Sequence, residues 1–161
     1  MRNLARAIVL LLALGLSEPV LAGPLEDARA AYGKEDYTTA LRLFRPLADQ
    51  GDADAQSMLG LMYDNGQGVP KDYAQAVKWY RLAANQGYAS AQANLGNMYY
   101  LGQGVPKDYV LAYMWRNLAA GGASDADIRE RAVKARDELA KVMTSAQVAE
   151  AQKRASAWQP K

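Results

Sequence analysis

The residues of this chain that could support chemistry are few. The tripeptide Gly66-Gln67-Gly68 has the glycine spacing of loops that cradle phosphate through backbone N–H groups. It lacks the Gly-Lys-Ser/Thr ending of such a loop, and the pattern before it is helical rather than extended. The same tripeptide returns as Gly102-Gln103-Gly104, whereas one nucleotide needs only one loop, so a structural turn is the better reading. Asp52 and Asp54 flank Ala53 at the start of a helical pattern, where N-terminal capping accounts for them. There is no His and no Cys. That removes the usual general base, thiol nucleophiles, disulfides and the common zinc ligand sets. The few Ser and Thr residues therefore have no His partner for a Ser–His–Asp arrangement, and no motif supports Ser–Lys chemistry. No catalytic residue, cofactor or metal is expected.

The elements that must position these residues are set by a repeat. Shifted by 36 residues, segment 51–86 falls on segment 87–122 with identical pairs at 21 of 36 positions. Gly66-Gln67-Gly68-Val69-Pro70-Lys71-Asp72-Tyr73 returns unchanged as Gly102 to Tyr109. Each unit reads as two helices. Ala55, Leu59, Met62 and Tyr63 share one face of the first, and Tyr73, Ala76, Tyr80 and Ala83 share one face of the second. Gly66 and Gly68 can take positive φ and end the first helix, Pro70 disfavours helix at Val69, and Asp72 can cap the second. Gly60 inside the first helix, returning as Gly96, predicts a close helix neighbour there. In the second unit Arg116 stands where Tyr80 stands in the first, which predicts a packing surface reduced to Trp115 and the alanines. Trp79 and Trp115 read as core.

The pattern Ala55…Leu59-Gly60…Tyr63…Gly66-x-Gly68-Val69…Asp72…Ala76…Trp79…Ala83-Ala84…Gly87, with its copy, resembles the Sel-one-like repeat family, a relative of the tetratricopeptide repeats. Upstream, Ala28…Tyr37…Ala40-Leu41…Phe44…Leu47 looks like a third, degenerate unit over residues 24–50. It lacks the glycine-rich link and so reads as closer to a plain tetratricopeptide repeat. The resemblance implies an all-α superhelix of stacked helix pairs, with the first helix of each pair lining a concave face. It also implies adaptor work through protein–protein contacts. Some cysteine-rich exported relatives have been discussed as acting on cell-wall or β-lactam substrates, but their bridging cysteines are absent here.

One helix pair cannot bury its own apolar stripe, so the units must stack and end in a polar cap. Segment 124–158 is expected to supply a capping helix pair. Ile128, Ala132, Ala135, Leu139 and Val142 form one stripe; Val148, Ala151, Ala155 and Trp158 form the next, which opens on the capping-box pair Thr144 and Gln147. Arg129, Arg131, Lys134, Arg136, Lys141, Lys153 and Arg154 lie mostly off these stripes, as a solvated charged face would.

The first 22 residues read as a cleaved secretory signal. Arg2 and Arg6 precede an apolar run from Ala7 to Leu16 that is too short to span a bilayer, and Val20 and Ala22 fit a peptidase site. Their removal leaves 17 basic and 16 acidic side chains, too balanced to suggest nucleic-acid binding. A periplasmic or secreted protein without stable membrane insertion is the expectation.

Function should lie where the two units differ. Along the first helices these positions include Asp54 and Ser57, Leu61 and Asp64, and Ser90, Asn94, Asn97, Tyr100 and Leu101. Aligned on Leu59-Gly60 and Leu95-Gly96, most fall on the concave face, where apolar, amide and aromatic groups would suit a protein or peptide partner. An exported adaptor is the leading expectation. A cell-envelope hydrolase and an architectural spacer are the alternatives.

Overall fold

Aspartates start most of the helices. In the computed structural model, which describes residues 23–161, Asp36, Asp52, Asp72 and Asp108 each accept a hydrogen bond from the backbone N–H three residues on, at 2.8–3.1 Å. They open α2 (Tyr37–Asp49), α3 (Ala53–Asn65), α4 (Tyr73–Asn85) and α6 (Tyr109–Gly122). Asp125 caps α7 (Ala126–Ala140) through the N–H groups of Asp127 and Ile128. Thr144 and Gln147 form the expected reciprocal box at the start of α8 (Ser145–Ala157). Pro24 begins α1 (Pro24–Gly33). Only α5 (Ala89–Leu101) has a tyrosine, Tyr88, at its cap and no side-chain bond there. The signal-peptide expectation lies outside the described residues.

These eight helices stack in chain order. α1 packs on α2, α3 on α4 and α5 on α6; α2 then meets α3, α4 meets α5 and α6 meets α7. The chain is all-α among the described residues and forms the expected superhelical stack. Alanine dominates the interfaces: Ala28, Ala40, Ala55, Ala76, Ala83, Ala91, Ala112 and Ala119 are fully buried. Small side chains let helix axes approach closely, and Phe44, Leu59, Met62, Tyr80 and Leu95 fill the remaining space. Trp79 and Trp115 are buried as expected.

The glycines explain the link between paired helices. Gly66 and Gly102 end α3 and α5 in the left-handed conformation, at φ 73° and 72°. The second glycine of each link does something the sequence did not suggest. A Cβ on Gly104 would lie 2.3 Å from the Tyr73 carbonyl oxygen, and one on Gly68 would lie 2.7 Å from that of Tyr37. Each link is therefore pressed onto the start of the preceding unit's second helix. The interior glycines behave as predicted: a Cβ on Gly60 would sit 2.5 Å from the Tyr80 ring, and one on Gly96 would sit 3.0 Å from Arg116 Cγ.

Four expectations need correction. Arg116 is not lost from the packing surface of α6: it is only 6% exposed, because its aliphatic stem lies on Gly96. Val142 does not continue the α7 stripe, since the helix ends at Ala140 and Val142 is 65% exposed. Asp54 is not a cap; it accepts hydrogen bonds from Tyr88 and Arg29, while Asp52 does the capping. Finally, α7 and α8 do not pair mainly with each other. α7 lies where the first helix of another unit would, against α6 and α5, and α8 turns back along α6. Leu139 of α7 and Ala151 of α8 meet on Ala112 and Tyr113, and Trp158 reaches Trp115 edge-on at 6.3 Å.

The C-terminal cations are largely engaged. Arg131 pairs with Asp127, Arg136 with Asp137, Lys141 with Glu138 and Arg154 with Glu150, while Arg129 donates to the Ala123 carbonyl. No helix among the described residues is long and apolar enough to cross a membrane.

A buried glutamine recurs in the two full-length units. Gln56 donates to the Ala48 carbonyl and Gln92 to that of Ala84, at 3.1 and 3.2 Å, tying each first helix to the helix before it. Gln86 donates to the side-chain oxygen of Gln56 at 2.8 Å. Gly122 replaces Gln86 in the next unit, and the buried oxygen of Gln92 has no partner. A Cβ on Gly122 would lie 3.9 Å from that oxygen.

Four substitutions test these contacts by thermal or urea unfolding. Gly104→Ala should destabilise the protein by about 3 kcal/mol, combining left-handed strain with the backbone clash, whereas Gly121→Ala, in open space within α6, should gain about 0.5–1 kcal/mol. Gly122→Gln should stabilise by about 1–2 kcal/mol through helix propensity and the restored hydrogen bond, with Gly122→Ala recovering only the propensity part.

Candidate binding cleft

The positions at which the units differ separate into two groups. The first holds the stack together. Asp54 links three units: Arg29 of α1 pairs with it, and the Tyr88 hydroxyl before α5 donates to it at 2.9 Å. Burial, and then the Asp54 carboxylate, push the Tyr88 hydroxyl up to about 12. Ser57 is buried at 6% exposure and has little surface to offer a partner. Leu61 is half-buried against the core cluster that includes Ala76, Tyr80 and Leu95. Asp64 accepts from the Tyr80 hydroxyl at 3.4 Å; burial raises its pKa, against the opposing effects of that bond and Lys71.

The second group is gathered on α5. Ser90, Asn94 and Asn97 line a cleft of about 370 Å³ together with Ala93, Arg116 of α6, and Ile128, Arg131, Ala132 and Ala135 of α7. The cleft exists because α7 packs on α6 and touches α5 only lightly, leaving the space between their outer faces open. Tyr100 lies next to it. Its ring stacks on Tyr109 at 5.7 Å and carries the Arg116 guanidinium at 4.7 Å. Leu101, at 53% exposure, projects into solvent at the end of α5 and does not line the cleft.

Arg116 is the residue that sequence reasoning missed. Its Nη2 donates to the Asn97 side-chain oxygen at 2.9 Å and its Nη1 to the Ala135 carbonyl at 3.0 Å, joining α5, α6 and α7. Burial pulls the guanidinium's pKa below its usual value, with Tyr100 opposing the shift. The signal was present in the repeat. Position 80 faces position 64, so the changes to Arg116 and Tyr100 must be taken together: a tyrosine–aspartate contact becomes an arginine–tyrosine contact. Among the described residues, no group of three or more His, Cys, Asp or Glu could hold a metal.

The Sel1 repeat family matches residues 29–52, 53–88 and 89–121, more than half of the chain. The chain belongs to the Sel1 repeat family. Its first match falls on the shortened unit, which is thus a Sel1 repeat rather than a plain tetratricopeptide repeat; α2 keeps the small and aromatic packing residues Ala40, Phe44 and Ala48 although the glycine link is missing. This Sel1 repeat protein is 32% identical to a solved protective antigen present in uropathogenic Escherichia coli strains, which displays an SLR fold, with a TM-score of 0.77 over 84% of this chain. A Sel1 repeat protein from Oxalobacter formigenes is 28% identical, with a TM-score of 0.59 over 73% of this chain. This chain spans 29% of the first protein and 55% of the second. No curated protein matches it. Sel1 repeat proteins are in general non-catalytic scaffolds for protein–protein contacts.

The Tyr88 tie predicts an alkaline limb of stability. The unfolded chain releases this proton near 10.0, but the folded state holds it to about 12. The folded state thus binds more protons across that window, and stability should fall as pH rises through it. Tyr88→Phe should make this limb shallower without abolishing it, because the more deeply buried Tyr80 hydroxyl is also raised; the check is urea midpoints at successive pH values.

Proposed function

We propose that this protein is an exported adaptor that holds a protein or peptide partner on the face formed by its first helices, at the cleft between α5 and α7. The observation that carries this reading is the convergence of Ser90, Asn94, Asn97 and Arg116 on one open space. The units share most of their packing residues, and every α5 residue that lines the opening stands at a position where the two units differ. Amide and guanidinium donors beside Ala93, Ile128 and Ala132 offer a partner backbone both hydrogen bonds and apolar contact. Export is supported by the basic–apolar–small-residue order of residues 1–22. The description of one structural relative as a protective antigen agrees with it.

A photo-crosslinking side chain at Asn94 tests the surface in living cells. It should give a discrete adduct that is absent when the same group stands at Gln75 of α4. Equal adducts from both positions, or none from Asn94, would overturn the cleft assignment. Mass measurement of the protein recovered from the cell envelope or medium should give a chain beginning at Gly23; an intact N-terminus in the cytoplasmic fraction would overturn export.

A further inference from the structure

Arg116 has a charge that no carboxylate answers; the Tyr100 ring, 4.7 Å from its guanidinium, supplies only a cation–π contact. Arg116 is 6% exposed, and its two hydrogen-bond acceptors, Asn97 and the Ala135 carbonyl, are both neutral. Its Nε is buried and has no partner. None of the ion pairs among the described residues includes it. A buried guanidinium ordinarily meets a carboxylate, because removal of a charge from water is costly without one. Packing alone does not require the charge. Tyr80 fills the equivalent space over Gly60 with a neutral ring, so a neutral side chain fits this helix pair.

The space beside Arg116 has matching electrostatics. The cleft lining contains two guanidiniums, Arg116 and Arg131, and no carboxylate. Arg131 is held at the rim by Asp127. Asn94 and Ser90 add neutral donors on the opposite wall. The volume of about 370 Å³ can hold a short stretch of peptide but is modest for a folded surface element.

We propose that this cleft is a carboxylate-binding site in which Arg116 is the principal donor, and that it receives an acidic group of a peptide segment, either a chain-terminal carboxylate or an Asp or Glu side chain. The planar guanidinium offers more donors than its two neutral acceptors use, and a carboxylate is the group whose geometry matches that fork. This inference rests on the adaptor reading above and specifies what the partner presents.

The test is a titration of ¹⁵N-labelled protein, followed through the Arg116 Nε–Hε resonance. The probes are sodium acetate and three N-acetylated Ala-Leu-Xaa-Leu-Ala peptides. One has Ala at the centre and a free C-terminus, one has Ala at the centre and a C-terminal amide, and one has Glu at the centre and a C-terminal amide. The resonance should move saturably with at least one carboxylate-bearing peptide and remain still with the neutral amide; whichever acid peptide moves it identifies the source. Arg116→Tyr, which removes that reporter and is therefore followed through the side-chain amide resonances of Asn94 and Asn97 in the cleft wall, should weaken that binding by about tenfold or more. Should this variant unfold, Arg116→Tyr combined with Tyr100→Asp recreates the Tyr80–Asp64 contact of the preceding unit and should show the same loss. The proposal is overturned if the neutral amide binds as well as the acids, if no acid probe moves the resonance, or if binding survives in a folded Arg116→Tyr protein. Failure of the acid probes with a persistent Asn94 adduct removes the carboxylate assignment alone. Acid binding without any Asn94 adduct removes the adaptor reading and leaves the anion site.

Discussion

The fold depends on how closely two helices approach where one of them has no side chain. Gly60 and Gly96 each lie under a large residue of the following helix, Tyr80 in one unit and Arg116 in the next. That contact sets the spacing within a pair, and the buried alanines keep neighbouring pairs at similar spacing. The link glycines extend the same constraint between units, since Gly68 and Gly104 lie against the backbone that starts α2 and α4. Glycine in a helix interior costs about 1 kcal/mol relative to alanine, so its verbatim return marks positions where geometry outweighs propensity.

Within this frame the variable residues change in facing pairs. Asp64 under Tyr80 becomes Tyr100 under Arg116, and Gln86 over Gln56 becomes Gly122 beside Gln92. Asp52, a helix cap, becomes Tyr88, which leaves α5 uncapped but reaches across to Asp54. The first exchange brings a charged group, Arg116, to the space between α5 and α7, the second removes an internal tie, and the third makes a new one. The two units keep one backbone arrangement and differ in the electrostatics they present.

Much of this was legible in the sequence because it is local. Caps at Asp72 and Asp108, the left-handed Gly66 and Gly102, and the stripes of α3 and α4 depend on residues within a turn or two of each other. The candidate positions were legible only as a set of differences. Which of them face a common opening depends on the angle at which α7 leaves α6, and no periodicity encodes that angle. Ser57 and Asp54 look as exposed in the sequence as Asn94 does, but the fold buries the first and the neighbouring unit bonds the second. Arg116 escaped notice because a charged residue on an apolar stripe reads as a gap in packing, whereas its methylenes fill the space and its head group reaches past it. The return of α8 onto α6 was hidden for a related reason: its stripe shows that it must be covered, without showing by which helix.

That return sets α8 apart in the order of assembly. From α1 through α7 the packing is mainly between neighbours in the chain, so each helix pair can form against the one before it after closing only a short loop. Trp158 lies by Gly87, and the Lys161 backbone N–H donates to the Asn85 carbonyl at 2.8 Å, closing the span from α4 to the end of α8. Those contacts need α6, on which α8 packs, to be seated on α5. The rest of the stack is joined by local steps, whereas the attachment of α8 closes a longer stretch of chain than the contacts between successive helices do.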